Sequence, residues 1–364
     1  MPSARPAAAL TAALTAALLL AACVPPSSPS AASVPGHAPA SDASATLPGP
    51  TPPAGHASPA SPASPVPSSS PTAGPPSRAP IEVAITVDDL PAHGPLPAGL
   101  TRLDVHRTLL DAFRKHAVPQ VVGFLNADKL TEHPEDRAAL EAWVAAGHPL
   151  GNHTFRHPNL YEISLADYLQ DIDRNEPLLR ELMGQAPERA WKLFRYPFLR
   201  EGRDLPTRNA IRAHLADRGY RIAQVTIDFG DWAWNEPYAR CAARNDEEAI
   251  KVLDGAFVNY GRATLQWADA TARQIYGRPI KQILLLHVGA FDARAIDRLL
   301  TAYEKEGVRW ISLDDALTDP VYAIDTERTS VWGESLLEQI AEGKGAPHAP
   351  YIPLPLGFLR LLCR

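Results

Sequence analysis

Two histidines, His153 and His157, stand four residues apart in the stretch GNHTFRHP. This spacing brings two imidazoles to one side of a helical turn, and two imidazoles with one carboxylate form a three-ligand zinc set that leaves a position for water. Most pairs with this spacing are ordinary surface residues. Gly151, Asn152 and Pro158 flank the pair and indicate a tight, irregular loop. The stretch alone therefore leaves two interpretations open, a metal site and two solvated histidines.

An acid pair, Asp88 and Asp89, follows the β-branched run IEVAITV. Adjacent carboxylates repel each other, but if a divalent cation binds one, the other can stay ionised and act as a base. The alternative is a turn acid that caps the next element. Other polar residues follow later apolar runs, namely Asn126, Arg195, Asp228, Asp231 and His287.

The elements that must position these residues alternate along the chain. Apolar runs predict strands at 81–87, 120–125, 148–152, 191–194, 220–228, 282–288 and 308–313. Helical spacing predicts helices at 101–117, 135–147, 164–183, 207–219, 246–276 and 293–306. About seven βα repeats predict an α/β fold with a parallel sheet, either open or closed as a barrel. In such folds the chemistry gathers at the C-terminal ends of the strands, where the polar residues lie.

Five motifs occur in a fixed order along this α/β pattern. They are TVDDL (86–90), GHPLGNHTFRHP (147–158), FRYPF (194–198), DFGDW (228–232) and LLLHVG (284–289). Together, from about 81 to 318, they resemble the motifs of the polysaccharide deacetylase family, the NodB-homology domain of carbohydrate esterase family 4. The resemblance implies a distorted (β/α)7-type barrel with parallel strands. It also implies hydrolysis of linear amide bonds, which removes acetyl groups from N-acetylated sugars with a divalent metal, most often Zn²⁺, with Co²⁺ or Ni²⁺ as alternatives.

The resemblance implies one set of residues for the metal and its water. Asp89, His153 and His157 would hold the cation, which activates the attacking water. Asp88 would be the general base that takes the proton of that water. Arg195 would pair with Asp88 and keep it ionised and oriented.

A second set of residues would serve the departing amine and the acetyl group. His287 would be the general acid that protonates the amine, and Asp231 would orient His287 and keep it protonated. The backbone N–H of Phe198 would stabilise the oxyanion. Trp232 and Leu285 would line a small pocket for the acetyl methyl group.

The sequence departs from the family pattern in several places, among them Val87, where the family commonly has phenylalanine before the acid pair. Leu90 and Leu199 stand where the family usually has glycine, and we expect both to alter the rim of the groove beside the metal. A long insert at 239–279 has no counterpart in a minimal domain.

The N-terminal residues predict export. Arg5 precedes an uncharged apolar stretch, 7–22, which is short for a membrane span and ends at Cys23. This resembles a bacterial lipoprotein signal, in which Cys23 becomes lipidated. Val24 after the cysteine resembles the residue pattern that directs a lipoprotein to the outer membrane. In a two-membrane bacterium the enzyme would then lie on the periplasmic face of that membrane. The alternatives are a plain signal peptide and an uncleaved anchor.

A proline-rich segment separates this signal from the rest of the chain. Residues 24–80 contain 17 prolines in 57 positions and almost no apolar surface, which predicts a disordered tether. The expected organisation is a signal peptide at 1–22, a Pro/Ser/Ala-rich tether at 23–80, a catalytic domain at 81–320 and a C-terminal tail at 321–364 that packs on the barrel.

The net charge limits the possible binding partners, and the cysteine content limits the possible disulfides. The chain carries a net charge of −6, and this mild acidity argues against a nucleic-acid partner. Cys241 and Cys363 remain if Cys23 is lipidated. In an oxidising compartment they could form a disulfide that ties the tail to the domain, or they could remain as two thiols.

Three functions are compatible with these observations. The leading hypothesis is a lipid-tethered, metal-dependent deacetylase that acts on an acetylated amino-sugar polymer of the cell envelope, such as peptidoglycan or an exported polysaccharide. The second is a metal-dependent amidohydrolase for a small non-sugar amide. The third is a non-catalytic sugar-binding module, which is disfavoured because metal ligands, base, acid and orienting residue are all retained.

Overall fold

The computed structural model describes residues 79–329, 332–346, 348 and 351–364. The predicted signal segment, Cys23 and nearly all of the predicted tether lie outside the described residues. In the part of the chain that is described, no helix is long and apolar enough to cross a membrane.

Seven parallel strands of the described chain form one sheet. They are β1 (Ile81–Leu90), β2 (Val122–Leu125), β3 (Leu150–Asn152), β4 (Leu193–Phe194), β5 (Arg221–Ile222), β6 (Gln282–His287) and β7 (Val308–Ile311). The order across the sheet is β5-β4-β3-β2-β1-β6, and β7 pairs with the first half of β1. Strand β1 is buried along its whole length except at Glu82, as expected for a central parallel strand with both faces covered.

The strand predicted at 220–228 is only partly formed. Arg221 and Ile222 pair with β4, whereas Ile227 makes an isolated parallel bridge to Leu284 of β6. Between them, the carbonyl of Val225 accepts a hydrogen bond from the tail residue Leu336 at 2.7 Å instead of from a strand. The segment therefore links the two edges of the sheet, which curls into the distorted (β/α)7-type barrel.

Helices cover the outside of the sheet. The helices of the described chain are α1 (Arg102–Lys115), α2 (Lys129–Glu132), α3 (Arg137–Ala145), α4 (Leu165–Met183), α5 (Glu188–Trp191), α6 (Leu205–Asp217), α7 (Asn235–Ala243), α8 (Glu247–Tyr276), α9 (Ala290–Lys305), α10 (Leu313–Ala316), α11 (Leu336–Gly343) and α12 (Leu356–Leu361). Local signals set their ends: Thr101 and Asp104 form a capping box before α1, and Gly277 ends α8 in a left-handed conformation. The insert at 239–279 is mostly α8.

The C-terminal residues pack on this structure. Leu336, Leu337 and Leu359 are buried in the main core. A disulfide joins Cys241 of α7 to Cys363, and it settles the alternative that the sequence left open.

Candidate metal and acid–base site

The side chains singled out by the sequence meet at one place. Asp88 and Asp89 end β1, His153 and His157 follow β3, Arg195 follows β4, and His287 ends β6. Because parallel strands end at the same edge, the two acids and three histidines line a single cleft of about 610 Å³, and Arg195 is buried beside Asp88.

Asp88 lies in a buried ion pair with Arg195. One terminal nitrogen of the guanidinium donates to both carboxylate oxygens of Asp88, at 3.1 and 3.2 Å. The other terminal nitrogen donates to the hydroxyl of Thr86, and Nε donates to the carbonyl of Ala223. Burial raises the pKa of Asp88 to about 6, although the charge of Arg195 opposes the rise. The carboxylate is therefore fixed in position and has a pKa near neutrality, as a general base requires.

Asp89, His153 and His157 form the one metal-ligating group found among the described residues. One ligand atom from each lies within 4.8 Å of the others. Oδ1 of Asp89 is 3.9 Å from Nε2 of His153 and 3.6 Å from Nε2 of His157. That buried oxygen has no hydrogen-bond partner in the protein, although Nζ of Lys129 lies 3.4 Å away, so it remains open to a metal ion. The three residues therefore fit a divalent metal.

The two histidines are brought together by a loop and not by a helical turn. Thr154 and His157 both adopt positive φ, at 65° and 57°. The side-chain amide of Asn126 donates to the carbonyls of His153 and Thr154, at 2.7 and 3.0 Å. Nδ1 of His153 donates to the carbonyl of Arg195 at 2.8 Å, which leaves Nε2 as the lone-pair nitrogen. Burial holds the pKa of His153 well below its usual range, so the ring is neutral and able to bind a metal.

Two residues that the sequence did not single out also contact Asp89. Nδ1 of His93 is 2.8 Å from Oδ2 of Asp89. Nζ of Lys129 donates to the backbone carbonyl of Asp89 at 2.8 Å and lies 3.4 Å from Oδ1. Although burial opposes it, Lys129 and His93 hold the pKa of Asp89 well below its usual range. The spacing from Asp89 to His93 offered a weak signal, whereas nothing in the sequence pointed to Lys129.

His287, at the end of β6, is held against buried acids. Nδ1 of His287 lies 2.9 Å from Asp231 Oδ1, and the backbone N–H of His287 donates to the other oxygen at 2.6 Å. Burial alone would lower the pKa of His287, but Asp231 outweighs it and the pKa rises to about 9. Burial and the charge of Asp231 raise the pKa of Asp292 well above its usual range, so Asp292 is protonated beside Asp231. The ring of His287 is thus a cation at neutral pH.

The remaining predicted residues line the cleft, with one exception. Phe198, Trp232, Leu285 and Leu199 all contribute to its wall. The expectation that Leu90 alters the rim is wrong. Leu90 is fully buried, and its side chain packs over Gly123, where a Cβ would lie 2.5 Å from Leu90 Cδ2.

The fold and the site define a class: a parallel α/β barrel with a candidate metal centre and an acid–base pair at the C-terminal ends of its strands. The sequence model of the polysaccharide deacetylase family matches residues 77–223. A peptidoglycan-N-acetylglucosamine deacetylase from Bacillus cereus is 31% identical over 160 residues, which cover 44% of this chain and 49% of that protein. A chitin deacetylase from Colletotrichum lindemuthianum is 31% identical over 93 residues, or 26% of this chain and 34% of that protein. The chain thus spans half or less of the length of these relatives.

A solved structure of similar fold is that of a polysaccharide deacetylase from Bacillus cereus. It is 18% identical, has a TM-score of 0.45, and is matched over 64% of this chain and 92% of that one. By the sequence match, residues 77–223 resemble the polysaccharide deacetylase domain, known as the NodB-homology domain of carbohydrate esterase family 4. The match at 77–223 contains the first three motifs, whereas DFGDW and LLLHVG lie beyond it.

Proposed function

We propose that the protein is a metal-dependent deacetylase of an acetylated amino-sugar polymer in the cell envelope. The observation that carries the proposal is the opposite protonation of two groups that line one cleft. Asp88 has a pKa of about 6 and His287 a pKa of about 9, so between these values the first is a base and the second an acid. The metal-ligating group of Asp89, His153 and His157 lies beside both.

Asp89, His153 and His157 would hold the divalent cation, with Zn²⁺ as our choice because imidazole and carboxylate ligands suit it. When bound, the cation would lower the pKa of a coordinated water and polarise the amide carbonyl. His93 would hold Asp89 in its orientation, since it occupies Oδ2 and leaves Oδ1 for the metal.

The remaining residues would move protons and stabilise charge. Asp88, held by Arg195, would take the proton of the attacking water. His287 would give its proton to the departing amine, with Asp231 orienting the ring. The backbone N–H of Phe198 would donate to the developing oxyanion. Trp232 and Leu285 would enclose the acetyl methyl group.

The cell envelope is the proposed location of the enzyme. The apolar segment before Cys23 and the proline-rich tether would hold the catalytic domain near a membrane surface. The disulfide between Cys241 and Cys363 fits an oxidising compartment. The peptidoglycan and chitin deacetylases similar to this chain support an N-acetylglucosamine polymer as substrate.

Acetate release tests the proposal. Purified protein, supplied with Zn²⁺, is incubated with peptidoglycan, chitin oligomers and β-1,6-linked N-acetylglucosamine. We expect acetate from at least one of them, and none after chelation of the metal. Binding of these glycans without release of acetate from any of them would show that the protein is not a deacetylase.

A further inference from the structure

Exposed aromatic side chains concentrate at the mouth of the cleft. In the described part of the chain, the large aromatic residues with the most exposed side chains are Phe198, Trp232, Trp332, Tyr351 and Phe358. The first four line the cleft that contains the metal-ligating group. Exposed aromatic rings cost solvation free energy, so their gathering at one site indicates a ligand surface.

Two of these rings come from the C-terminal tail and not from the barrel. Trp332 is 84% exposed and Tyr351 is 46% exposed. Both lie beyond the last strand and outside the part of the chain that matches the family. The five family motifs therefore do not account for them.

The tail is held against the cleft at several points. Gly333, with φ of +80°, packs on the backbone carbonyl of Phe198, where there is no space for a Cβ. A Cβ on Gly230 would lie 2.5 Å from Leu354, so these two residues are also in close contact. The ring of Tyr351 packs edge-on against Trp267, with 5.9 Å between centroids. These contacts hold the segments that carry Trp332 and Tyr351 at the cleft, which both residues line.

The chemistry of this wall matches a sugar ring. A pyranose presents an apolar face of C–H groups, which can lie on an aromatic ring, and a rim of hydroxyl groups, which need polar partners. The carboxylate of Asp228 and the guanidinium of Arg200 line the same cleft beside the aromatic rings. Apolar rings with a few polar groups are the usual composition of a small-ligand site.

We propose that Trp332 and Tyr351 form a binding subsite for the sugar ring next to the one whose N-acetyl group is hydrolysed, and that this tail-built wall makes the enzyme selective for glycan chains over single sugars. The inference rests on the proposed function, because it takes the reacting sugar to lie at the metal-ligating group. The occupant is a second hexosamine unit of the same chain.

The test compares two lengths of one substrate. Acetate release from single N-acetylglucosamine and from its pentamer is measured for the wild type, Trp332→Ala and Trp332→Phe. We expect Trp332→Ala to lower kcat/KM for the pentamer about tenfold more than for the single sugar, through a higher KM, because an aromatic contact contributes on that scale. Trp332→Phe should recover part of the loss. Phe358→Ala removes an exposed aromatic ring outside the cleft and serves as the matched control.

Two results would overturn the subsite. One is an equal effect of Trp332→Ala on the single sugar and the pentamer. The other is a loss with the pentamer that is as large for Phe358→Ala as for Trp332→Ala. If the wild type releases no acetate, the proposed function fails, and pentamer binding by calorimetry then tests the subsite alone. Weaker binding by Trp332→Ala than by Phe358→Ala would support it, and equal binding would contradict it.

Discussion

Two histidines of one cleft show how one residue type takes two charge states. His153 and His287 are both largely enclosed, and burial lowers the pKa of each. Nδ1 of His153 donates to a neutral carbonyl, that of Arg195, whereas Nδ1 of His287 meets the carboxylate of Asp231. His153 is therefore neutral, and His287 is a cation up to about pH 9. Because both rings are buried, the hydrogen-bond partner of Nδ1, and not burial, sets the charge of each ring. It makes His153 a neutral candidate metal ligand and His287 a candidate acid.

The largest effect is expected at the candidate metal ligand. His153→Ala removes one of three ligands, so metal affinity should fall by more than the roughly 100-fold that the loss of an outer-shell partner costs. Acetate release should fall to background with it. Metal content after dialysis, measured by atomic emission, checks the affinity. Retention of a full equivalent of zinc would show that His153 is not a ligand.

At the candidate acid, Asp231→Asn should change the pH dependence of turnover. Without the carboxylate, the pKa of His287 loses the largest influence that raises it while burial still lowers it, so the pKa should fall from about 9 and the ring should lose its proton more readily. The alkaline limb of kcat should therefore move to lower pH, and kcat near pH 8 should fall roughly 100-fold. A pH–rate profile checks both. An alkaline limb at the wild-type position would contradict the pairing.

Replacing His93 tests whether its contact with Oδ2 of Asp89 positions that carboxylate for the metal. His93→Ala removes the hydrogen bond to Oδ2 and should weaken zinc binding 10–100-fold, as expected for an outer-shell partner. His93→Asn places an amide nitrogen near the position of Nδ1 and should restore part of the affinity. Competition with a chelator gives the dissociation constants. Equal affinity in wild type and His93→Ala would exclude a positioning role.

The smallest effect is expected at Asp292. This residue is protonated beside Asp231, so Asp292→Asn keeps a neutral donor of similar shape. We expect kcat to change by no more than about threefold, which a side-by-side assay with Asp231→Asn would show. A loss as large as that of Asp231→Asn would mean that Asp292 carries charge in the reaction.

Much of the candidate site follows from sequence because each motif lies at a strand end. Asp88, Asp89 and His287 come directly after or within short apolar runs, and parallel strands bring such positions to one edge. Cys241 and Cys363 are predicted as disulfide partners because they are the two cysteines that remain besides Cys23. Nothing in the sequence shows that they lie close together.

Other features could not be found this way because they depend on contacts between distant segments. Trp332 reaches the cleft through Gly333 and the backbone of Phe198, more than a hundred residues earlier. Leu90 was placed on the rim by analogy with a glycine position, yet its size lets it fill the core over Gly123. The strand predicted at 220–228 is interrupted because Val225 pairs with the tail instead.

The central claim is that metal binding and proton transfer belong to different residues of one cleft. Metal content and acetate release, measured on the same sample of Asp88→Asn, test it most directly, with the wild type as control. We expect a full equivalent of zinc and a loss of turnover on the order of 10²–10⁴-fold, since the base is gone while Asp89, His153 and His157 remain. Turnover at the full wild-type rate would contradict the assignment of Asp88 as the base, and loss of zinc would contradict the division itself.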